Sequence, residues 1–174
     1  MTTKGIDFGK LSLKDALDLA VLIEEEARDR YEEFVDQMRQ HRTPEASRFF
    51  AFMAGNEEKH RAELAERRGE LFEDQPVAVT REMLFDVEAP EYDEARAFMT
   101  VREALQAAFR AEKKAYAFFT DALRRIPGGE VKVLFEELRQ EEIDHQRLVL
   151  AELEKTPPDP SIRQDDVADE PAAL

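Results

Sequence analysis

Apolar residues return by fours and threes along four stretches of the chain, the period of an α-helix that buries one face. The first stretch is Leu13, Leu17, Ala20, Ala27, Tyr31, Phe34 and Met38. It predicts a helix that opens at the cap-like Ser12-Leu13-Lys14-Asp15 and runs to about Gln40. The second carries Ala46, Phe50, Met53 and Leu64, with Thr43 as N-cap, Pro44 at the first helical position and an end near Arg68, where Gly69 supplies a stop. The third holds Phe98, Val101, Leu105, Ala108, Ala115, Phe119, Ala122 and Ile126, predicting a helix from about Glu91 to Arg125 that Pro127-Gly128-Gly129 breaks. The fourth, with Val131, Phe135, Leu138 and Val149, spans about Glu130 to Glu154.

Residues 70–90 contain Pro76 and the run Val77-Ala78-Val79-Thr80, and read as a long connection with room for a helical turn around Glu82 to Phe85. At ~3.3 Å per residue this segment reaches roughly 70 Å, enough to cross the length of a bundle. The expected fold is therefore all-α, an antiparallel four-helix bundle with a long crossover between the second and third helices. Residues 1–155 are assigned to the bundle and 156–174 to a flexible, acidic, proline-containing tail.

Each apolar stripe is interrupted by acid. Glu24 lies on the first, Glu57 and His60 on the second, Glu112 on the third, and Glu142 and His145 on the fourth. Glu25, Glu26, Glu32, Glu33 and Glu103 fall off the stripes and read as solvated. A Glu and a His three residues apart sit side by side on a helix, able to hold one metal ion between them. The pattern also repeats. A shift of 88 residues carries Glu24 onto Glu112, Ala27 onto Ala115, Tyr31 onto Phe119 and Met38 onto Ile126. A shift of 85 carries Phe50 onto Phe135, Met53 onto Leu138, Glu57 onto Glu142 and His60 onto His145. Two copies of one helical hairpin predict a site with pseudo-two-fold symmetry.

The energetic argument runs the same way. Four ionised carboxylates in an apolar interior each cost several kcal/mol unless compensated, and the stripes bring no Lys or Arg to them. Two divalent cations balance the four charges, and neutral imidazoles complete the shell. Tyr31, one heptad beyond Glu24, is placed to hydrogen-bond a ligand carboxylate or an ordinary core partner; Tyr116 is placed four residues after Glu112, and His41 in a loop. Without metal, the rival reading is a helical interaction module with the tail as its binding segment.

Composition narrows the classes. The formal net charge of -15 argues against a nucleic-acid partner, because phosphate binding needs a basic face. With no cysteine, the chain has no disulfide, iron–sulfur cluster, thiolate zinc site or rubredoxin centre, so electrons for redox chemistry must come from another molecule. Met1-Thr2-Thr3-Lys4-Gly5 has no signal-peptide core, and no apolar run approaches the ~20 residues that cross a bilayer, so no membrane association and a cytoplasmic location are expected.

At these residues the chain resembles the ferritin-like di-iron carboxylate superfamily. Within it, Glu24-Glu25-Glu26-Ala27-Arg28-Asp29-Arg30-Tyr31 is similar to the Glu-x-x-Ala-Arg-x-x-Tyr segment of the rubrerythrin family's first helix. The resemblance covers about residues 12–154. It implies that Glu57 and Glu142 bridge two metal ions, that Glu24 and His60 complete one, and that Glu112 and His145 complete the other. Asp144 or an acid on a neighbouring helix would serve as the histidines' hydrogen-bond acceptor. The implied cofactor is two iron ions, with manganese or a mixed pair also suited to these donors. The implied activity is peroxide or dioxygen reduction with an external electron donor such as a rubredoxin-like protein, in a homodimer or higher homo-oligomer. The same site would serve a ferroxidase for iron oxidation, storage or delivery. Two departures stand out. There is no rubredoxin domain, and the family's additional Glu, one turn along the third helix, is replaced by Ala115, which makes the ligand set resemble the symmetric one of bacterioferritin.

Overall fold

The computed structural model describes residues 6–40, 42–83 and 100–157. Four helices carry the fold: α1 (Leu13–Gln40), α2 (Pro44–Phe72), α3 (Val101–Leu123) and α4 (Glu130–Lys155), with a 3-10 turn at Arg81–Met83. The chain is all-α among the described residues. α1 packs chiefly against α2 and α3 against α4, so the two hairpins of the repeat are the two halves of the bundle. Residues 73–100 join them.

The ends of the helices follow local chemistry. Ser12 opens α1 as expected: its Oγ accepts from the Asp15 amide at 3.1 Å and donates to the Asp15 carboxylate at 2.7 Å. Thr43 occupies the N-cap of α2 with Pro44 behind it, but its side chain makes no capping bond. Gly69 does not stop α2. The helix continues three residues further because Phe72 packs against the core, and it ends at Glu73, whose φ is 50°. α3 begins at Val101, later than the expected start near Glu91, and Thr100 closes a full capping box with Glu103. Residues 84–99, including Phe98 and most of the expected turn to Phe85, lie outside the described residues, as do His41 and tail residues 158–174. At the α3–α4 hairpin, Gly128 and Gly129 take φ of 150° and 75°, which explains two glycines there.

The crossover leaves α2 pinned to α1. Arg68 pairs with the buried Asp18 at 2.8 Å and also donates to the carbonyls of Glu73 and Gln75. Lys14 reaches Asp18 at 2.9 Å and the Pro76 carbonyl at 3.0 Å. Further along, Arg81 binds Glu25 at 2.7 Å and Asp29 at 3.0 Å.

The apolar interior is split in two. One cluster holds Leu17, Ile23, Leu64, Phe119, Phe135 and Leu138; the other holds Tyr31, Phe50, Met53, Leu105, Ala108 and Val149. Along every helix the chain passes from one cluster to the other, and at each passage stands a stripe acid: Glu24, Glu57, Glu112 or Glu142. A polar layer therefore crosses the middle of the bundle. The repeat is visible in the packing as well. Tyr31 stacks on Phe50 with centroids 5.9 Å apart, and its repeat mate Phe119 meets Phe135, the mate of Phe50, at 5.7 Å.

Candidate metal centre

All four stripe glutamates are buried: Glu24 is 2% exposed, Glu57 and Glu112 0%, and Glu142 2%. His145 is buried and His60 partly so. Among the described residues no Lys or Arg falls in the buried core alongside these carboxylates. Two groups of donor atoms form, each with all members within 4.8 Å of one another: Glu24, Glu57 and His60, and Glu57, Glu112 and His145. Glu57 belongs to both. Helical geometry accounts for this, since the i, i+3 spacing stacks His60 over Glu57 and His145 over Glu142 on the inward faces of α2 and α4. Glu142 is buried in the same layer but joins neither group.

The two imidazoles lie parallel, with centroids 5.0 Å apart and planes 5° from each other. His145 Nδ1 is 3.1 Å from Glu112 Oε2 and 3.9 Å from Glu57 Oε1. His60 Nδ1 is 3.9 Å from Glu24 Oε2. Tyr31 donates its hydroxyl to Glu112 Oε1 at 3.0 Å, binding a carboxylate of the layer from α1 across to α3. The acceptor beside His145 is thus Glu112, and not Asp144, which is exposed and engaged with Arg147 at 2.7 Å. A residue one position from an inward-facing histidine points roughly a quarter turn away from it, toward water.

The layer's electrostatics are those of acids held in a dry interior. Burial pushes the Glu24 carboxyl up to about 8, against the opposing influence of Glu57 and His145. Burial also raises the half-buried Glu141, reinforced by Glu63, Glu137 and Asp144. His145 loses charge stability to burial, but its hydrogen bond to Glu112 and the nearby carboxylates outweigh that and raise it. His60 is lowered by burial and by His145. Just outside the layer the balance reverses: Arg61 and Arg28 together hold the Glu58 carboxyl at about 2. Arg28 reaches Glu58 at 2.7 Å from α1, tying α1 to α2 one residue from Glu57.

The residues present fit a metal pair. The donor set is carboxylate and imidazole, the chemistry that iron, manganese and zinc accept. Glu24 Oε2 is a buried carboxylate oxygen with no hydrogen-bond partner, an arrangement that a cation would satisfy. Of the six stripe residues read from the sequence as one site, the structure gathers five, Glu24, Glu57, His60, Glu112 and His145, into the two donor groups, while Glu142 is buried but belongs to neither. The parallel histidine rings, the direct Glu112–His145 contact and the part of Glu141 are not legible in the sequence, because they depend on how α4 is rotated against α2 and α3.

A family model described as Rubrerythrin matches residues 15–153. Among solved structures, the chain is similar to that of an uncharacterized conserved protein from Magnetospirillum magnetotacticum MS-1, with a TM-score of 0.66 and 25% sequence identity, covering 86% of this chain and 98% of that one. No curated protein matches.

Proposed function

The chain belongs to the rubrerythrin family, and on that premise we propose that it is a non-haem di-iron oxidoreductase that reduces peroxide to water at its buried carboxylate–histidine layer. The observation that carries this reading is the pair of buried carboxylate–histidine donor groups that share Glu57. Glu24 and His60 would hold one iron and Glu112 and His145 the other; Glu57, a member of both donor groups, would serve both, and the buried Glu142, one turn before His145, would be a further ligand. When bound, the two ferrous ions supply the two electrons that cleave the O–O bond of hydrogen peroxide, and two protons complete two waters.

The chain's own residues do the rest. The two apolar clusters exclude bulk water on both sides of the layer, which strengthens every electrostatic interaction inside it. Tyr31 fixes the Glu112 carboxylate in one orientation through Oε1 and leaves Oε2 toward the metal position. His60, the more exposed of the two imidazoles, with its side chain 16% accessible against 5% for His145, marks the side from which peroxide and protons arrive. Electrons return from a separate donor protein, since the chain has no second redox centre of thiolate type.

One observation favours a second reading, a ferroxidase. At Ala115, fully buried one turn after Glu112, this chain has no additional carboxylate, leaving a ligand set with one Glu and one Glu-x-x-His per half. Rapid-mixing spectroscopy of iron-loaded protein separates the two. The peroxidase reading expects oxidation by peroxide to be much faster than by dioxygen, with turnover when a donor is present. Faster reaction with dioxygen and continued iron uptake beyond two per chain would instead establish the ferroxidase.

A further inference from the structure

The repeat that builds the layer is broken at one atom. Tyr31 and Phe119 are repeat mates, both fully buried and each in contact with the matching phenylalanine of its own half, Tyr31 stacked on Phe50 and Phe119 edge-on to Phe135. Only Tyr31 carries a hydroxyl, and it is spent on Glu112 of the opposite half. Symmetry assigns Phe119 the corresponding place beside Glu24, where there is no hydroxyl to give. Glu112 is accordingly held at both oxygens, by Tyr31 at 3.0 Å and His145 at 3.1 Å. Glu24 Oε2 has no hydrogen-bond partner and stands 3.9 Å from His60. The histidines differ in the same sense, with the His60 side chain 16% exposed and that of His145 5%.

Resting on the di-metal reading above, we propose that the two metal positions are inequivalent and load in order: the Glu112–His145 position first and tightly, the Glu24–His60 position second and exchangeably from solvent. An ion entering beside Glu112 meets two donor atoms, Glu112 Oε2 and His145 Nδ1, already brought within 3.1 Å of each other, with Glu112 oriented by Tyr31, so little ordering cost remains. The second position must draw in a carboxylate that no tyrosine hydroxyl orients, beside a cation already bound to Glu57. Its part-exposed imidazole, 16% accessible against 5% for His145, gives water a route to compete for the ion. Selection of one position by a tight-binding metal and of the other by whatever is available would follow directly.

The test is anaerobic titration of the metal-free, full-length protein with Co(II), read by calorimetry and visible absorption. Repulsion between neighbouring ions gives two steps in any bridged pair, so the variants assign the order. With His60→Ala the tight step is expected to persist and the weak step to vanish, and with His145→Ala the tight step to vanish. Tyr31→Phe, which keeps the ring stack, is expected to weaken the tight step by roughly tenfold, the loss of one hydrogen bond to a charged group, and to leave the weak step within about twofold. Loss of the tight step in His60→Ala, or equal weakening of both steps in Tyr31→Phe, would overturn the ordering while leaving the di-metal reading intact. Absence of any Co(II) binding to the unmodified protein would overturn both.

Discussion

Glu24→Gln removes the ionisable proton of one buried carboxyl while keeping its shape, and its effect on the metal-free protein can be worked out in advance. The Glu24 carboxyl is raised from 4.5 to about 8 in the fold, chiefly by burial. Between those values the native state keeps a proton that the unfolded chain releases, so the stability of the metal-free protein falls as pH rises from 4.5 through about 8. At pH 7 the penalty spans roughly 2.5 pH units at about 1.36 kcal/mol each, or ~3 kcal/mol. Glu24→Gln should therefore unfold later than the parent at pH 7 by roughly 6–12 °C for a chain of this size. The gain should shrink nearly to zero as pH falls below 4.5, where the parent's carboxyl is protonated in both states. The assay is calorimetric or circular-dichroism melting of both metal-free proteins across that pH range. A variant that is no more stable at pH 7, or one whose advantage does not change with pH, would refute the claim that the layer stores uncompensated acid.

Three further outcomes follow from named contacts. Glu57→Leu should abolish binding of both ions, because both donor groups use Glu57, so that Mn(II) raises the melting temperature of the parent and leaves that of the variant unchanged. Arg68→Ala leaves Asp18 buried with only Lys14 beside it and cuts the crossover's tie to α1, and should cost about 3 kcal/mol in chemical denaturation. Thr100→Ala removes the capping box of α3 and should cost about 1 kcal/mol on the same measurement.

The helices and the six stripe residues were legible in the sequence because a buried face must repeat every 3.6 residues, and an acid on that face is conspicuous. Leu105, Phe119 and Met53 announce the core by spacing alone, and Glu24 and Glu112 by interrupting it. What escaped was whatever depends on contacts between helices. The end of α2 is decided by Phe72 finding the core, which outweighs the local preference of Gly69. The start of α3 did have a local signal, Thr100-Val101-Arg102-Glu103, but the apolar residues upstream of it extended the periodic pattern past the cap. For the acceptor beside His145 the sequence left Asp144 and an acid on a neighbouring helix both open, with nothing local to choose between them. The acceptor lies on α3, at a position fixed by the crossing of the two helices. Tyr31 could be placed near the layer from its heptad spacing, but its choice of Glu112 over Glu24 needed the fold.

The central claim is that the buried acid layer exists to hold metal. The direct measurement is elemental analysis of protein loaded anaerobically with Fe(II) and freed of excess, alongside Glu57→Leu treated identically. About two irons per chain in the parent and none in the variant is the predicted result. A parent that retains no iron, or a variant that retains as much as the parent, would contradict it.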